Sequence, residues 1–291
     1  MQLIHTVRAM QALADERRAA GQTLALVPTM GALHEGHLAL VDEARKHADH
    51  ITVSIFVNPT QFGPGEDFDR YPRQLEADRK ALERRGGVDE VFVPVLEEMY
   101  PDGQDAQQTW VDVEQMDKHL CGRQRPGHFR GVTTVVSKLF NCCRPHIAVF
   151  GRKDAQQFII LKRMSRDLNF GIELIGIPIV READGLALSS RNVYLSPDER
   201  QQAVVLSQAV EAVRARILEG EQQAAALVET MRQTIGQAPD ARIQYTEVVD
   251  VTTLQPIEVL EPGQEVLAAV AVFFGATRLI DNVFVRVPQP D

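Results

Sequence analysis

Between residues 24 and 180, short apolar runs alternate with segments patterned for helices. The runs are Leu24 to Val27, Ile51 to Val57, Val88 to Val93, Ile147 to Phe150 and Ile172 to Val180. Between them, Leu38, Val41 and Ala44 recur at helical spacing, and Pro72 to Arg85 keeps its charges on one face. Val132 to Cys143 and Ala155 to Leu168 also read as helices, and Val7 to Ala20 reads as an amphipathic helix ending at Gly21. Strands separated by helices pair in parallel, with the helices covering both faces. The expected fold is therefore α/β, a Rossmann-like doubly wound parallel sheet of at least five strands. In such sheets ligands gather in the crevice at the carboxyl ends of the strands.

The pattern changes after about Glu182. Arg181 to Ser196 reads as a loop, and Ser196-Pro197-x-Glu199 then starts a helix with a capping serine, a proline at the first position and a glutamate three on. Two helices, Pro197 to Leu218 and Gln222 to Ile235, precede alternating strands such as Ile243 to Val249 and Val266 to Phe274. Helices followed by strands mark a separate, smaller α+β unit. Residues 1–182 are expected to form the catalytic domain and 183–291 a C-terminal domain acting as a lid.

A net charge of −9 speaks against nucleic acid as a partner, since that wants a basic face. No apolar run approaches membrane-spanning length, and the N-terminus lacks an apolar core with a cleavage site. Cys121, Cys142 and Cys143 have neither metal-ligand spacing nor an even disulfide framework, so a reducing cytoplasm is the expected compartment.

Residues Leu24 to Leu40, LALVPTMGALHEGHLAL, concentrate the chemistry. A buried strand, a turn allowed by Pro28, Gly31 and Gly36, and a helix start with exposed N–H groups make an anion site before any side chain is counted. His34 and His37 add two imidazoles at that start, where the helix carries roughly half a positive charge. Neither a P-loop nor a G-x-G-x-x-G is present. Phosphates would have to be held by histidines and helix N–H groups.

Three further loops follow strands of the same sheet. Gln61 offers a neutral amide, either as a ligand group or as a turn-stabilising side chain. Lys153, in Gly151-Arg152-Lys153-Asp154, either reaches an anion at the following helix or belongs to a solvated helix start; Gln156 or Gln157 then points into the crevice. Ser189, Ser190 and Arg191 join hydroxyls to a guanidinium fork suited to phosphate. Arg125, His128 and Arg130 form a local basic cluster, which either meets a carboxylate substrate or pairs with acidic neighbours. No nucleophile elbow and no carboxylate pair for glycoside hydrolysis stands in the chain. Anion-holding donors without a covalent nucleophile fit adenylyl transfer, which needs mainly positioning and charge stabilisation.

The His-x-Gly-His arrangement resembles the signature of the nucleotidylyl transferase superfamily that includes class I aminoacyl-tRNA synthetases. Over Pro28 to Leu195 the resemblance narrows. P-T-M-G-A-L-H-E-G-H (Pro28 to His37), F-V-N-P-T-Q-F (Phe56 to Phe62), R-P-G-H-F-x-G-V (Arg125 to Val132), G-x-K-D-x-Q-Q (Gly151 to Gln157) and L-S-S-R-N (Leu188 to Asn192) occur in order. Together they are similar to the pantothenate synthetase (pantoate–β-alanine ligase) family.

The resemblance implies that ATP and (R)-pantoate give a bound pantoyl adenylate and pyrophosphate, after which β-alanine takes the acyl group and AMP leaves. It implies an ATP site of Met30, Gly31, Ala32, Leu33, His34, Glu35, Gly36, His37, Gly151, Arg152, Lys153, Asp154, Val180, Leu188, Ser189, Ser190 and Arg191. His37, His34, Lys153 and Arg191 would be catalytic, Gln61 and Gln157 would bind pantoate, and Gln61 would also meet β-alanine. The family assigns His37 as proton donor; the residues themselves support an electrostatic and hydrogen-bonding role first. Arg152 stands where relatives often carry an acidic residue and reads as tolerated variation. Arg191 replaces the lysine of the synthetases' K-M-S-K-S loop. Mg²⁺ with ATP, a homodimer and a cytoplasmic location are further implications. The rival readings are a transferase that hands AMP to a phosphate acceptor and a non-enzymatic nucleotide-binding module.

Overall fold

The computed structural model describes residues 1–289, which divide into two compact units. The first comprises residues 1–114, 125–152 and 160–178; the second comprises 115–124, 153–159 and 179 onward. No helix among the described residues is long and apolar enough to cross a membrane.

In chain order the elements are β1 (Gln2–Ile4), α1 (Val7–Ala19), β2 (Leu24–Thr29), α2 (Glu35–Ala44), β3 (His50–Ile55), α3 (Leu75–Arg85), β4 (Glu90–Phe92), α4 (Leu96–Met99), α5 (Leu120–Gln124), α6 (His128–Cys143), β5 (Ile147–Gly151), α7 (Ala155–Asp167) and β6 (Glu173–Ile177). The six strands form one parallel sheet ordered β1-β4-β3-β2-β5-β6. The chain runs outward from β2 through β3 to β4, then restarts on the other side at β5. The order therefore reverses between β2 and β5, and a crevice opens at their carboxyl ends. The expected doubly wound sheet is present, with one strand more than the minimum. Central strands are apolar without alternation, as two covered faces require: Leu26, Val27, Val53, Val91, Ala148 and Val149 are all nearly inaccessible.

The second unit continues with α8 (Pro197–Gln202), α9 (Val205–Leu218), α10 (Ala224–Ile235), β7 (Ala241–Asp250), β8 (Glu265–Phe274) and β9 (Thr277–Arg286). The three strands form an antiparallel meander with β8 at its centre. Val210, Val213, Ile217, Leu227 and Met231 of α9 and α10 share a core with Val266, Val270, Val272 and Phe274 of β8. This is the α+β arrangement read from the sequence.

Several boundaries differ from the sequence reading. The single helix expected over Pro197 to Leu218 is two, although Ala203 and Val204 keep helical dihedrals across the break. The helix expected from Val132 begins at His128, because Gly127 takes a left-handed conformation that sets its start. The strand expected to Val180 stops at Ile177, since Pro178 has no N–H to extend the ladder. The helix expected from Pro72 begins at Leu75. Strand β1 was not anticipated.

Candidate active site

The turn after β2 is held by side chains around it. Gly31 and Ala32 both have positive φ, +83° and +51°. Thr29 Oγ1 accepts the Gly31 N–H at 3.2 Å and donates to the Ser54 carbonyl at 2.8 Å, tying the turn to β3. Below it, the carboxylate of Asp78 on α3 accepts the N–H groups of Ala32 (3.0 Å) and Leu33 (2.8 Å).

His34 caps α2. Its Nδ1 accepts the N–H of Gly36 at 3.1 Å, and His37 Nδ1 accepts the N–H of His34 at 3.3 Å. The pair is a reciprocal capping box in which imidazoles stand in for the usual serine and glutamate. The ring centroids are 4.1 Å apart. A nitrogen that accepts from a backbone amide carries no proton, so in each neutral ring the proton sits on Nε2. Each ring is thus an Nε2–H donor at the positive end of a helix, where an anion is stabilised. Glu35 contributes differently, its carboxylate being paired with Arg85 at 3.2 Å.

Gln61 ends a 3-10 turn, Pro59–Gln61, that follows β3. Its Oε1 accepts from Asn58 Nδ2 at 3.0 Å and its Nε2 donates to the Met30 sulfur at 3.2 Å, so the amide lies against the histidine turn. Asn58 is 1% exposed and also donates to the Gly131 carbonyl (3.2 Å) and accepts from the Tyr100 hydroxyl (2.7 Å). The basic cluster is committed to the same wall. Arg125 makes two 2.6 Å bonds to Glu66, His128 Nδ1 lies 2.7 Å from the Gln61 carbonyl, and Arg130 stacks over Trp110. Burial pushes the Glu66 carboxyl up, but the bonds and charge of Arg125 outweigh it and hold it below the ordinary glutamate value. Of the two readings open for this cluster, pairing with an acidic neighbour is the one found for Arg125.

Gly151 closes β5 and Arg152 opens the short 3-10 turn Arg152–Asp154. In the second unit, the Lys153 carbonyl accepts from Asn282 Nδ2 at 2.8 Å, and its ammonium lies 4.0 Å from Asp154. Gln156 is buried and bonded to the Met116 and His119 carbonyls, both at 2.9 Å, and to the Gly122 N–H at 3.3 Å. Its amide is spent on holding residues 115–124. Gln157, next to it, is half-buried. Val180 and Leu188 are brought together by a 2.9 Å backbone bond, beside the Arg181–Ala187 bridge. Ser189 Oγ caps the 3-10 turn Ser190–Tyr194 by accepting the Arg191 N–H at 3.3 Å.

Residues 2–284 match the family model described as Pantoate-beta-alanine ligase. The chain belongs to this family. Its curated relatives include a pantothenate synthetase of Salinibacter ruber, 64% identical with 99% of each chain covered, and one of Thermotoga petrophila, 53% identical with 97% of this chain and 99% of the relative covered. Among solved structures it is similar to the pantothenate synthetase of Thermus thermophilus, with a TM-score of 0.89, 43% identity and coverage of 99% and 100%. It is also similar to the pantoate-beta-alanine ligase of Francisella tularensis complexed with Beta-gamma ATP and Beta-alanine, with a TM-score of 0.77, 31% identity and 97% coverage of each.

In this member of the pantoate-beta-alanine ligase family, a sequence reading misses Asp78, gives Asn58 no role of its own and leaves Gln156 undecided against Gln157. Asp78 lies in a charge-rich helix that reads as solvated, and Gln156 is indistinguishable from Gln157 by type. Asn58 alone carried a signal, standing with Pro59 directly after a buried strand.

Proposed function

We propose that this ligase-family member condenses (R)-pantoate with β-alanine to pantothenate at the expense of ATP. Pantoate's carboxylate attacks the α-phosphorus of ATP, pyrophosphate leaves, and the amine of β-alanine then displaces AMP from the acyl carbon. The observation that carries the reading is the imidazole capping box of His34 and His37, which sets two Nε2–H donors at the start of α2. Negative charge grows on the phosphorus centre and its leaving group, and donors fixed in advance stabilise it. His37 then works as a neutral hydrogen-bond donor, because an imidazolium would turn Nδ1 into a donor facing the His34 N–H.

In the same proposal Lys153, Ser189, Ser190 and Arg191 steady the phosphates, and Met30 to His37, Gly151 to Asp154, Val180 and Leu188 bind ATP. Gln61 and Gln157 take pantoate, with Gln61 also near β-alanine. Neutral amides suit a small hydroxy acid better than a phosphate acceptor, which favours the ligase over a simple nucleotidylyl transferase. Mg²⁺ is proposed to arrive with ATP, whose phosphates supply its ligands; among the described residues no cluster of three His, Cys, Asp or Glu is built to hold an ion. A homodimer, a cytoplasmic location and a lid role for residues 183–291 complete the reading. Identical scattering profiles with and without ATP and pantoate would remove the lid.

The test mixes ATP, Mg²⁺ and pantoate with and without β-alanine, following AMP and pyrophosphate. Pantothenate and AMP formed only with both acids, and a strong loss in His37→Ala, are the expected results. Pyrophosphate release independent of both acids would overturn the reading.

A further inference from the structure

We propose that Asp78 is a positioning residue for nucleotide binding, an inference that rests on the ligase reading above. Its side chain is 1% exposed, whereas the other charged residues of α3 are exposed or half-buried. A carboxylate removed from water persists where hydrogen bonds replace its solvation. Asp78 has two such bonds, from the N–H groups of Ala32 and Leu33.

The segment it holds is one that does not hold itself. Gly31 and Ala32 are consecutive left-handed residues, a conformation disfavoured for alanine. A methyl on Gly31 would sit 3.0 Å from Asp78 Oδ2 and 3.1 Å from Ile55, so the carboxylate and the turn are in close fit. The next residue is His34, the cap of α2. Asp78 thus fixes the two peptide units that lead into the imidazole pair. Arg85, at the far end of α3, bonds Asp42 and Glu35 of α2, so one helix braces α2 at its entry and along its side.

A consequence separates this turn from a P-loop, whose amides cradle phosphate. Here the amides of Ala32 and Leu33 face the buried carboxyl group of Asp78. Phosphate recognition falls to the start of α2 and to the two imidazoles, whose aim depends on the turn.

Asp78→Asn keeps the size of the side chain but sets an NH₂ against one of the two N–H donors. Steady-state pyrophosphate release is followed with ATP, pantoate and β-alanine each varied, alongside ATP affinity by calorimetry and a thermal melt. We expect the KM and Kd for ATP to rise about tenfold or more, with the KM values for pantoate and β-alanine within about twofold, in a folded variant. A folded variant whose ATP constants stay within about twofold overturns the proposal, whatever its loss of active fraction. Should the asparagine variant not fold, Asp78→Glu keeps the charge and advances it by one methylene. The same ATP-selective change is expected there, and unchanged ATP constants overturn the proposal equally. If the unsubstituted chain releases no pantoate-dependent pyrophosphate, the ligase reading fails, and the calorimetric ATP constants still decide the role of Asp78.

Discussion

The Nδ1 atom of His37 accepts the backbone N–H of His34 at 3.3 Å, while His34 Nδ1 accepts from Gly36. Both rings are therefore held in the Nε2–H tautomer. Long-range ¹H–¹⁵N spectra of the histidines should show an unprotonated Nδ1 and a protonated Nε2 for each. An Nδ1–H tautomer or an imidazolium at neutral pH for His37 would contradict the capping arrangement. On the proposed function, replacing His37 by alanine removes one donor to the phosphate and should lower kcat by roughly 10²–10³-fold, the usual cost of one such donor.

Asn58 organises the wall opposite this turn. Its buried amide serves Gln61, Gly131 and Tyr100 at once. Asn58→Ala removes the buried hydrogen bonds of its amide, although the Tyr100 hydroxyl keeps Thr60 Oγ1 at 3.1 Å and the Gly131 carbonyl lies within α6, so we expect a loss of about 1–3 kcal/mol in stability, read from urea unfolding. Gln61 also loses the partner that orients it, and the KM for pantoate should rise while the KM for ATP stays near its starting value. Equal changes in both constants would show that Asn58 acts only on folding.

The fold and the loops that carry the candidate site were legible where one residue pattern had one physical cause. Alternating apolar runs and helical spacing revealed the parallel sheet, and glycines beside polar residues revealed its loops. Strand β9 was harder to see because its run, TRLIDNVFVR, contains Asp281. That carboxylate is buried and makes 2.7 and 2.9 Å bonds to Arg181, a hundred residues away in sequence. Asp78 was hidden for the same reason. A buried charge is recognised by the donors that meet it, and these lie far off in the chain. Strand β1 has three residues, too few for any period to emerge.

The Glu66–Arg125 pair gives a pH-dependent contribution to stability. The folded Glu66 carboxyl lies below its ordinary value, and the unfolded one titrates near about 4.3. The unfolded chain therefore binds more protons on Glu66 as the pH falls, and the pair's contribution is whole above the unfolded value and lost through the folded one. Glu66→Gln should unfold at lower urea than the unsubstituted chain at pH 7, and the gap should narrow on acidification to the limit of folding. A gap that does not change with pH would mean that shape, and not charge, is what Arg125 reads.

Gly131 lies on α6 where that helix crosses the Gln61 turn. A Cβ there would fall 2.3 Å from the Thr60 carbonyl oxygen and 2.8 Å from Gln61 Cα. Its dihedrals are helical, so alanine gains in local propensity. The clash is with backbone, which cannot rotate away as a side chain would. Moving the turn also breaks the Asn58 bond to the Gly131 carbonyl and the His128 contact to the Gln61 carbonyl. Overpacking of this kind costs about 1–3 kcal/mol, more than the propensity gained. Gly131→Ala should therefore lower the thermal midpoint and raise the KM for pantoate, because the turn that carries Gln61 is the part displaced. A variant that melts at or above the unsubstituted chain with an unchanged pantoate constant would show that α6 can shift as a body without disturbing Gln61.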